Sequence, residues 1–303
     1  MEVALPTDKW RYMVTTGLWP KRGNFDPVGW TSNFSKEEMP LALRLLDGFT
    51  YFSDELVKQM FRSAFLNVSQ HILTDKDSLK KSRTSWAEFI DSLIVVRVTG
   101  EIPHDADSGF AFARLARDIL MLDEQKIVSP EAALEIFMRG HTPNVLFVDD
   151  FVGSGNQFGD TWEREYEIHH QKISFAAVQH HLQGKIKFFY CPVICTELGQ
   201  SNISRRCPEV KIVPAHFYTS RQSALSSDSA IWRKDMKIEG PEFVKTVSAR
   251  IGLPDTDGGE DCWRGFHKLG LALAFGHGCP DATLPIFYTQ LNSWKPLIKK
   301  GSL

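Results

Sequence analysis

The chain has 303 residues, of which 43% are apolar and 24% charged, ordinary values for a globular protein of one large domain or two small ones. A formal net charge of −2 excludes a global basic field that would draw in nucleic acid or an anionic membrane, and leaves only a local basic patch open. The longest apolar runs, such as Phe188 to Cys195, fall far short of the ~20 residues of a membrane span, and Met1 to Trp10 lack the apolar centre of a signal peptide, so a soluble, cytoplasmic protein with no membrane partner is expected.

The first 85 residues read as a helical module. Ser35-Lys36-Glu37-Glu38 has capping-box form ahead of Leu41, Leu45, Leu46 and Phe49. Leu56, Val57, Met60, Phe61, Ala64, Phe65, Val68 and Ile72 then recur at helical spacing over about five turns. Such a stripe needs a covering surface, either the protein's own core or a partner.

A second unit, residues 86–217, alternates strands with helices. Leu93 to Val98 is a strand, and Phe112, Leu115, Ala116, Ile119 and Leu120 form a helical stripe after it, with Ser108 placed to cap its start. Ser129-Pro130 opens another helix in the favoured order of cap and first helical residue. A further strand covers residues 145–150, a long helical stretch reaches about Leu182, and Ile186 to Ile194 and Val210 to Pro214 supply more strands. This rhythm predicts an α/β fold, a parallel sheet flanked by helices and joined by right-handed crossovers.

The most informative stretch runs from Val145 to Gln157. Four apolar residues precede Asp149 and Asp150, two more apolar residues follow, and then comes the loop Gly153-Ser154-Gly155-Asn156-Gln157. Ligands of open α/β sheets sit beyond the carboxyl ends of such strands. Two carboxylates there can accept from vicinal hydroxyls or face a cation, and a loop freed of Cβ atoms can turn its N–H groups towards an anion at a helix N-terminus. Hydroxyl acceptors beside a phosphate cradle describe a ribose 5-phosphate site. A P-loop enzyme is disfavoured because the chain has no G-x-x-x-x-G-K-[ST] sequence, and a dinucleotide fingerprint because two carboxylates stand where a pyrophosphate would be repelled.

The five cysteines show no paired C-x-x-C spacing and read as free thiols. The doublets His169-His170 and His180-His181 invite a metal, but on one continuous helix they would be separated by a rise of about 16 Å, too far to share an ion. Residues 218–303 loosen into turns at Leu253 to Gly259 and into the segment His277 to Tyr288, where His277 and Asp281 either shape a base pocket or sit in an ordered loop before an edge strand.

The stretch Val145 to Gln157 resembles the diphosphoribose-binding motif of type I phosphoribosyltransferases. The resemblance implies that fold with a helical N-terminal extension and a C-terminal hood over residues 218–303. It implies that Asp149 and Asp150 bind the ribose hydroxyls and serve catalysis, and that Gly153, Ser154, Gly155, Asn156 and Gln157 hold the 5′-phosphate. It also implies 5-phosphoribosyl diphosphate or a ribonucleotide as ligand, with Mg²⁺ arriving on the diphosphate and Asp149 or Asp150 open to it. Ser154 keeps the hydroxyl of the usual Thr, whereas Gln157 stands where a second Thr is common, so a catalytic protein and a binding-only sensor both stay open. In that fold the loop after an earlier strand binds pyrophosphate; Thr99 to Gly109 takes that place here, with Arg97, Ser108, Gly109, Arg114 and Arg117 nearby. Thr196 and Glu197 follow another strand end and are either ligand contacts or a helix cap. Together with His277 to Tyr288, the motif resembles a branch of phosphoribosyltransferase-like proteins met in bacterial conflict loci, including retron modules. That implies a role in antiviral defence beside a reverse transcriptase and its nucleic acid.

Overall fold

Strands without a polar face are stable only when helices cover both sides of their sheet, and the apolar runs of this chain are covered in that way. The computed structural model describes residues 5–20, 25–74, 76–99, 108–182, 184–259 and 261–300, with the helical backbone alone for 108–111. The chain forms two compact units, residues 58–217 and residues 1–57 with 218–303.

In the first of these units, five strands lie parallel in the order β2-β1-β3-β4-β5: β1 (Leu93–Arg97), β2 (Ile127–Val128), β3 (Asn144–Val152), β4 (Phe188–Thr196) and β5 (Val210–Ile212). Helix α1 (Leu79–Asp91) precedes β1. Helix α2 (Ser108–Leu120) crosses from β1 to β2, α3 (Pro130–Met138) from β2 to β3, α4 (Asn156–Glu163) and α5 (Phe175–His181) from β3 to β4, and α6 (Glu197–Arg206) from β4 to β5. The protein therefore has the expected α/β architecture of a parallel sheet flanked by helices.

Adjacent residues of β4 show why no polar alternation appears. Phe188 meets Trp162 edge-on at 5.0 Å, whereas its neighbour Phe189 meets Phe89 of α1 at 5.6 Å from the opposite face. Phe147 of β3 makes perpendicular contacts at 5.1 Å with both Phe158 and Phe175, which seats α4 and α5 on the sheet. Ser129 accepts from the Ala132 N–H and Pro130 takes the first position of α3, as the sequence order required.

The strand order fixes where a ligand can enter. From β1 the chain moves outward to β2, then returns to β3 and moves outward the other way, so the loops after β1 and β3 part to opposite faces and leave a crevice. β1 ends with Arg97 opposite Val148, while β3 continues alongside β4 as far as Val152 opposite Cys195. Asp149 and Asp150 are thus the first residues of β3 to project past the end of β1.

The apolar stripe starting at Leu56 is divided between the helix Asp54–Asn67 and the short helix Ser69–Ile72, which Val68 separates; in the first, Phe61, Ala64 and Phe65 are buried while Leu56 and Leu66 are exposed. Phe61 meets Phe112 at 5.2 Å and Phe65 meets Trp86 at 5.5 Å, so this part of the stripe is core. The capping pair forms too: the Ser35 N–H donates to Glu38 Oε2 at 2.9 Å, and the Glu38 N–H donates to Ser35 Oγ at 3.3 Å. The second unit gathers the helices Thr7–Thr15, Met39–Asp47 and Glu239–Arg250 with a parallel strand pair, Thr50–Phe52 and Leu273–Phe275. Its core holds Trp30 and Trp294, whose indole N–H groups both donate to the Ile286 carbonyl at 2.9 Å.

The expected long helix up to Leu182 is not present. Helix α4 ends at Glu163, and an antiparallel hairpin, Tyr166–Ile168 with Gln171–Ile173, intervenes before α5. Tyr166 and Ile168 alternate with the exposed Glu167, a period of two that favours strand over helix. His169 and His170 form the turn, both at positive φ (50° and 64°), the backbone of a primed two-residue turn. The helical spacing considered for the histidine doublets therefore does not apply. Among the described residues, no group of three His, Cys, Asp or Glu side chains is placed to hold a metal ion, and no helix is long and apolar enough to cross a membrane. All five cysteines are free thiols.

Because Phe147 joins three aromatic rings on one face, Phe147→Ala should destabilise the protein by about 3–5 kcal/mol through lost burial and a residual cavity. Guanidinium denaturation measures this, and a loss below about 1 kcal/mol would mean that α4 and α5 are held by other contacts.

Candidate functional site

The loop after β3 rests on the start of α6, and that contact decides which way its peptide groups point. Thr196 caps α6: its Oγ1 accepts from the Gly199 N–H at 3.0 Å and donates a short hydrogen bond to the Gly153 carbonyl. One turn later Asn202 Nδ2 donates to the Ser154 carbonyl at 2.9 Å. Two glycines allow the close approach. Gly155 caps α4 in the left-handed region (φ 77°), where a Cβ would meet the Gly199 carbonyl at 2.8 Å; a Cβ on Gly199 would meet Val152 Cγ1 at 2.6 Å.

With two carbonyls turned to α6, the N–H groups are left for something else. Among the described residues, no protein oxygen accepts from the N–H of Ser154, Gly155 or Gln157, and the Asn156 N–H reaches only Ser154 Oγ at 3.3 Å. These donors sit at the N-terminus of α4, where the helix dipole adds partial positive charge. The other end of α4 is tied to α6 by Arg206, which bonds Asp160 at 2.8 Å and Glu163 at 2.7 Å. The helix is also tied to the end of β1: Thr161 Oγ1 donates to the carbonyls of Gln157 (2.9 Å) and Thr99 (3.0 Å), and Arg164 donates to Thr99 Oγ1 at 2.8 Å.

Asp149 is buried, 4% exposed, and its oxygens accept from the Tyr190 hydroxyl at 2.9 Å and the Asp150 N–H at 3.0 Å. Burial, and then the charge of Asp150 and a hydrogen bond with it, push the Asp149 carboxyl well above the usual carboxylate range; the Tyr190 hydroxyl and the Asp150 N–H oppose this in part. Tyr190 is itself pushed up, first by burial and then by Asp149, and it stacks on Phe158 at 4.2 Å. The two carboxyls form a proton-retaining pair at the rim of the crevice, 8% exposed at Asp150.

The structure thus brings Asp149, Asp150 and residues 153–157 together. Arg97, the last residue of β1, pairs in register with Val148 and stands beside Asp149 in the sheet. Ser108 and Gly109 open α2, which begins after the loop following β1, but residues 100–107 and the side chains of these two lie outside the described residues. Arg114 is exposed on α2. Arg117 is turned to Asp118 and Glu124, at 2.8 and 3.4 Å, near the end of a helix that runs back towards the opposite edge of the sheet. It is not brought to the crevice. Thr196 touches the loop as a helix cap, and Glu197 is an exposed first residue of α6. His277 and Asp281 belong to the other unit, where His277 stacks on Phe275 at 5.3 Å and Asp281 pairs with Lys300 at 2.9 Å. Tyr190, Thr161, Gly199 and Asn202 escaped the sequence reading, which had Thr99 only as the first residue of the loop after β1. Only Gly199 and Asn202 carried a signal, one and two helical steps beyond the capping Thr196.

A crevice at the strand-order reversal, with paired acids and a cradle of N–H groups, defines an α/β protein of phosphoribosyltransferase type. The chain belongs to the PRTase-CE family, a phosphoribosyltransferase-type family whose model it matches over residues 27–300. Among solved structures it is similar to the AQ2163 protein from Aquifex aeolicus, at 12% identity over 72% of this chain and 87% of that one; the TM-score of 0.30 carries no argument. No curated protein matches the chain.

Two outcomes follow from this geometry. Gly155→Ala combines a left-handed backbone with a 2.8 Å approach to a carbonyl and should destabilise the protein by about 1–3 kcal/mol in thermal unfolding; an unchanged melting temperature would contradict the packing of the loop on α6. The folded protein holds the Asp149 proton more tightly than the unfolded chain does. That contribution is present below the ordinary value of 3.8 and is lost as pH rises through the raised value. Asp149→Asn should accordingly gain stability relative to the wild type as pH rises from the ordinary carboxylate range through the raised value, and parallel pH profiles of the two proteins would refute the raised hold of Asp149 on its proton.

Proposed function

We propose that the crevice between β1 and β3 binds the ribose 5-phosphate part of 5-phosphoribosyl diphosphate or of a ribonucleotide. The observation that carries the reading is the backbone donors of Ser154, Gly155 and Gln157, which have no protein acceptor among the described residues, set beside Asp149 and Asp150 at the strand-order reversal. The phosphate takes the N–H groups and the start of α4, remote from the bond broken, which orients the sugar. Asp150, backed by Asp149, accepts from the ribose hydroxyls. If the protein is catalytic, the reaction is transfer or hydrolysis at ribose C1. A cation-like sugar forms as diphosphate leaves, and Mg²⁺ on the diphosphate disperses the charge of the leaving group. A role in antiviral defence beside a reverse transcriptase and its nucleic acid rests on the resemblance of two segments and is part of the same proposal.

One observation favours a second reading, a sensor that binds without chemistry. Asp149 is already engaged by Tyr190, and burial, with the charge of Asp150, raises its hold on a proton, so it is less suited to face a developing cation. Calorimetry with 5-phosphoribosyl diphosphate and Mg²⁺, followed by a pyrophosphate-release assay across nucleobases, separates the two: binding with release supports the enzyme, binding without release the sensor. In both, Asp150→Asn should weaken binding by about 1.5–3 kcal/mol, roughly 10- to 100-fold. Unchanged affinity in that variant would remove the ribose assignment.

A further inference from the structure

The unit of residues 1–57 and 218–303 contains a cavity of about 230 Å³ lined by Arg44, Asp47, Thr50, Tyr218, Arg221 and Gln222, with Gly48, Ile231 and Ala272 as its apolar wall. It is smaller than the pockets of roughly 300–1,000 Å³ that take drug-sized ligands, which suits a small polar group. Arg44 comes from the helix Met39–Asp47 and Arg221 from the turn Ser220–Gln222, so two guanidinium groups enter from separate elements. Among the described residues, neither has a carboxylate within ion-pair distance. Arg44 Nη2 makes one long hydrogen bond, 3.3 Å, to the Ala230 carbonyl, and its Nε is buried without a partner. Asp47, the acid in the lining, is exposed and paired with Lys9.

The remaining lining groups are donors as well. Gln222 spends its carbonyl oxygen on the Thr219 N–H at 2.8 Å and hydroxyl at 3.1 Å, which leaves its amide N–H₂. Tyr218 is buried and interacts with Thr50, and burial pushes its phenol up to about 12, so it keeps its proton at neutral pH. A buried cationic donor without a partner is costly. The part-buried Arg44, the exposed Arg221 and the Gln222 amide line one small cavity, where a ligand with several negatively charged oxygens would pair the two guanidinium groups and give the buried Arg44 Nε its acceptor.

We propose that this cavity is a second anion site, separate from the loop after β3, in which Arg44 and Arg221 receive inorganic phosphate or the phosphate of a monoester. Guanidinium forks arriving from two directions match the tetrahedral oxygens of phosphate better than the flat pair of a carboxylate. Ile231 and Ala272 exclude water from one side and strengthen the attraction.

The test is calorimetric titration of the full chain at low ionic strength with inorganic phosphate, repeated with adenosine 5′-monophosphate. Arg221 is exposed and its side chain bonds no other described residue, so Arg221→Gln should melt as the wild type does. The expected result is that Arg221→Gln loses one class of phosphate site, weakened at least about tenfold, while its affinity for 5-phosphoribosyl diphosphate with Mg²⁺ is unchanged. Arg44→Gln should do the same. Competition by the nucleotide for that phosphate class identifies a monoester site, and its failure to compete identifies a free-phosphate site. A phosphate isotherm for Arg221→Gln that superimposes on the wild type overturns the proposal. Failure of the crevice reading looks different: 5-phosphoribosyl diphosphate then binds neither protein, while Arg221→Gln still loses its phosphate class.

Discussion

The orientation of two peptide groups governs the site. The carbonyls of Gly153 and Ser154 are held by Thr196 and Asn202 of α6, and the turn that places them there leaves the N–H groups of Ser154, Gly155 and Gln157 without acceptors among the described residues. Backbone donors are seldom left unsatisfied away from water. Their arrangement is affordable only because the loop stands at the mouth of a crevice, where solvent or an anion completes them. Gly155 and Gly199 make the arrangement sterically feasible, and the Arg206 ion pairs keep α4 and α6 in step.

The same economy appears in the acids. Asp149 lies inside a sheet that is otherwise apolar, and burying a charge there would cost several kcal/mol without compensation. Burial and the charge of Asp150 raise that carboxyl's hold on its proton, while Tyr190 and the next N–H donate to its oxygens. Asp150, one residue nearer the rim, then shares the strand end with a carboxyl that resists ionising, which lessens the repulsion between the two. Tyr190 is fixed in turn by stacking on Phe158, the first aromatic residue of the helix that begins the cradle. The acid pair and the loop after β3 are joined through that ring.

Much of this was legible in the residue order. Val145 to Val148 and Phe188 to Cys195 had no polar alternation, so a sheet covered on both faces followed directly. Ser129-Pro130 marked a helix start, and the sequence Asp-Asp, two apolar residues and a glycine loop marked the site. What escaped depends on contacts between distant segments. Tyr190 reads as one more apolar strand residue until β3 and β4 are set in register, where its hydroxyl reaches Asp149. The hairpin at Tyr166 to Ile173 was hidden because three-residue strands carry too little periodicity to outweigh the flanking helical pattern, and because its turn uses two histidines at positive φ where Asn or Gly is usual. Residues 1–57 and 218–303 form one unit from the two ends of the chain, and such an association leaves no local signature.

If the loop is a phosphate cradle, its amides must respond to the ligand directly. The most direct measurement is amide nuclear magnetic resonance of labelled protein titrated with ribose 5-phosphate. Large, saturable shifts at Ser154, Gly155 and Gln157, with smaller ones at Asp150, are the predicted result. Saturable binding that leaves those three amides unmoved would contradict the account.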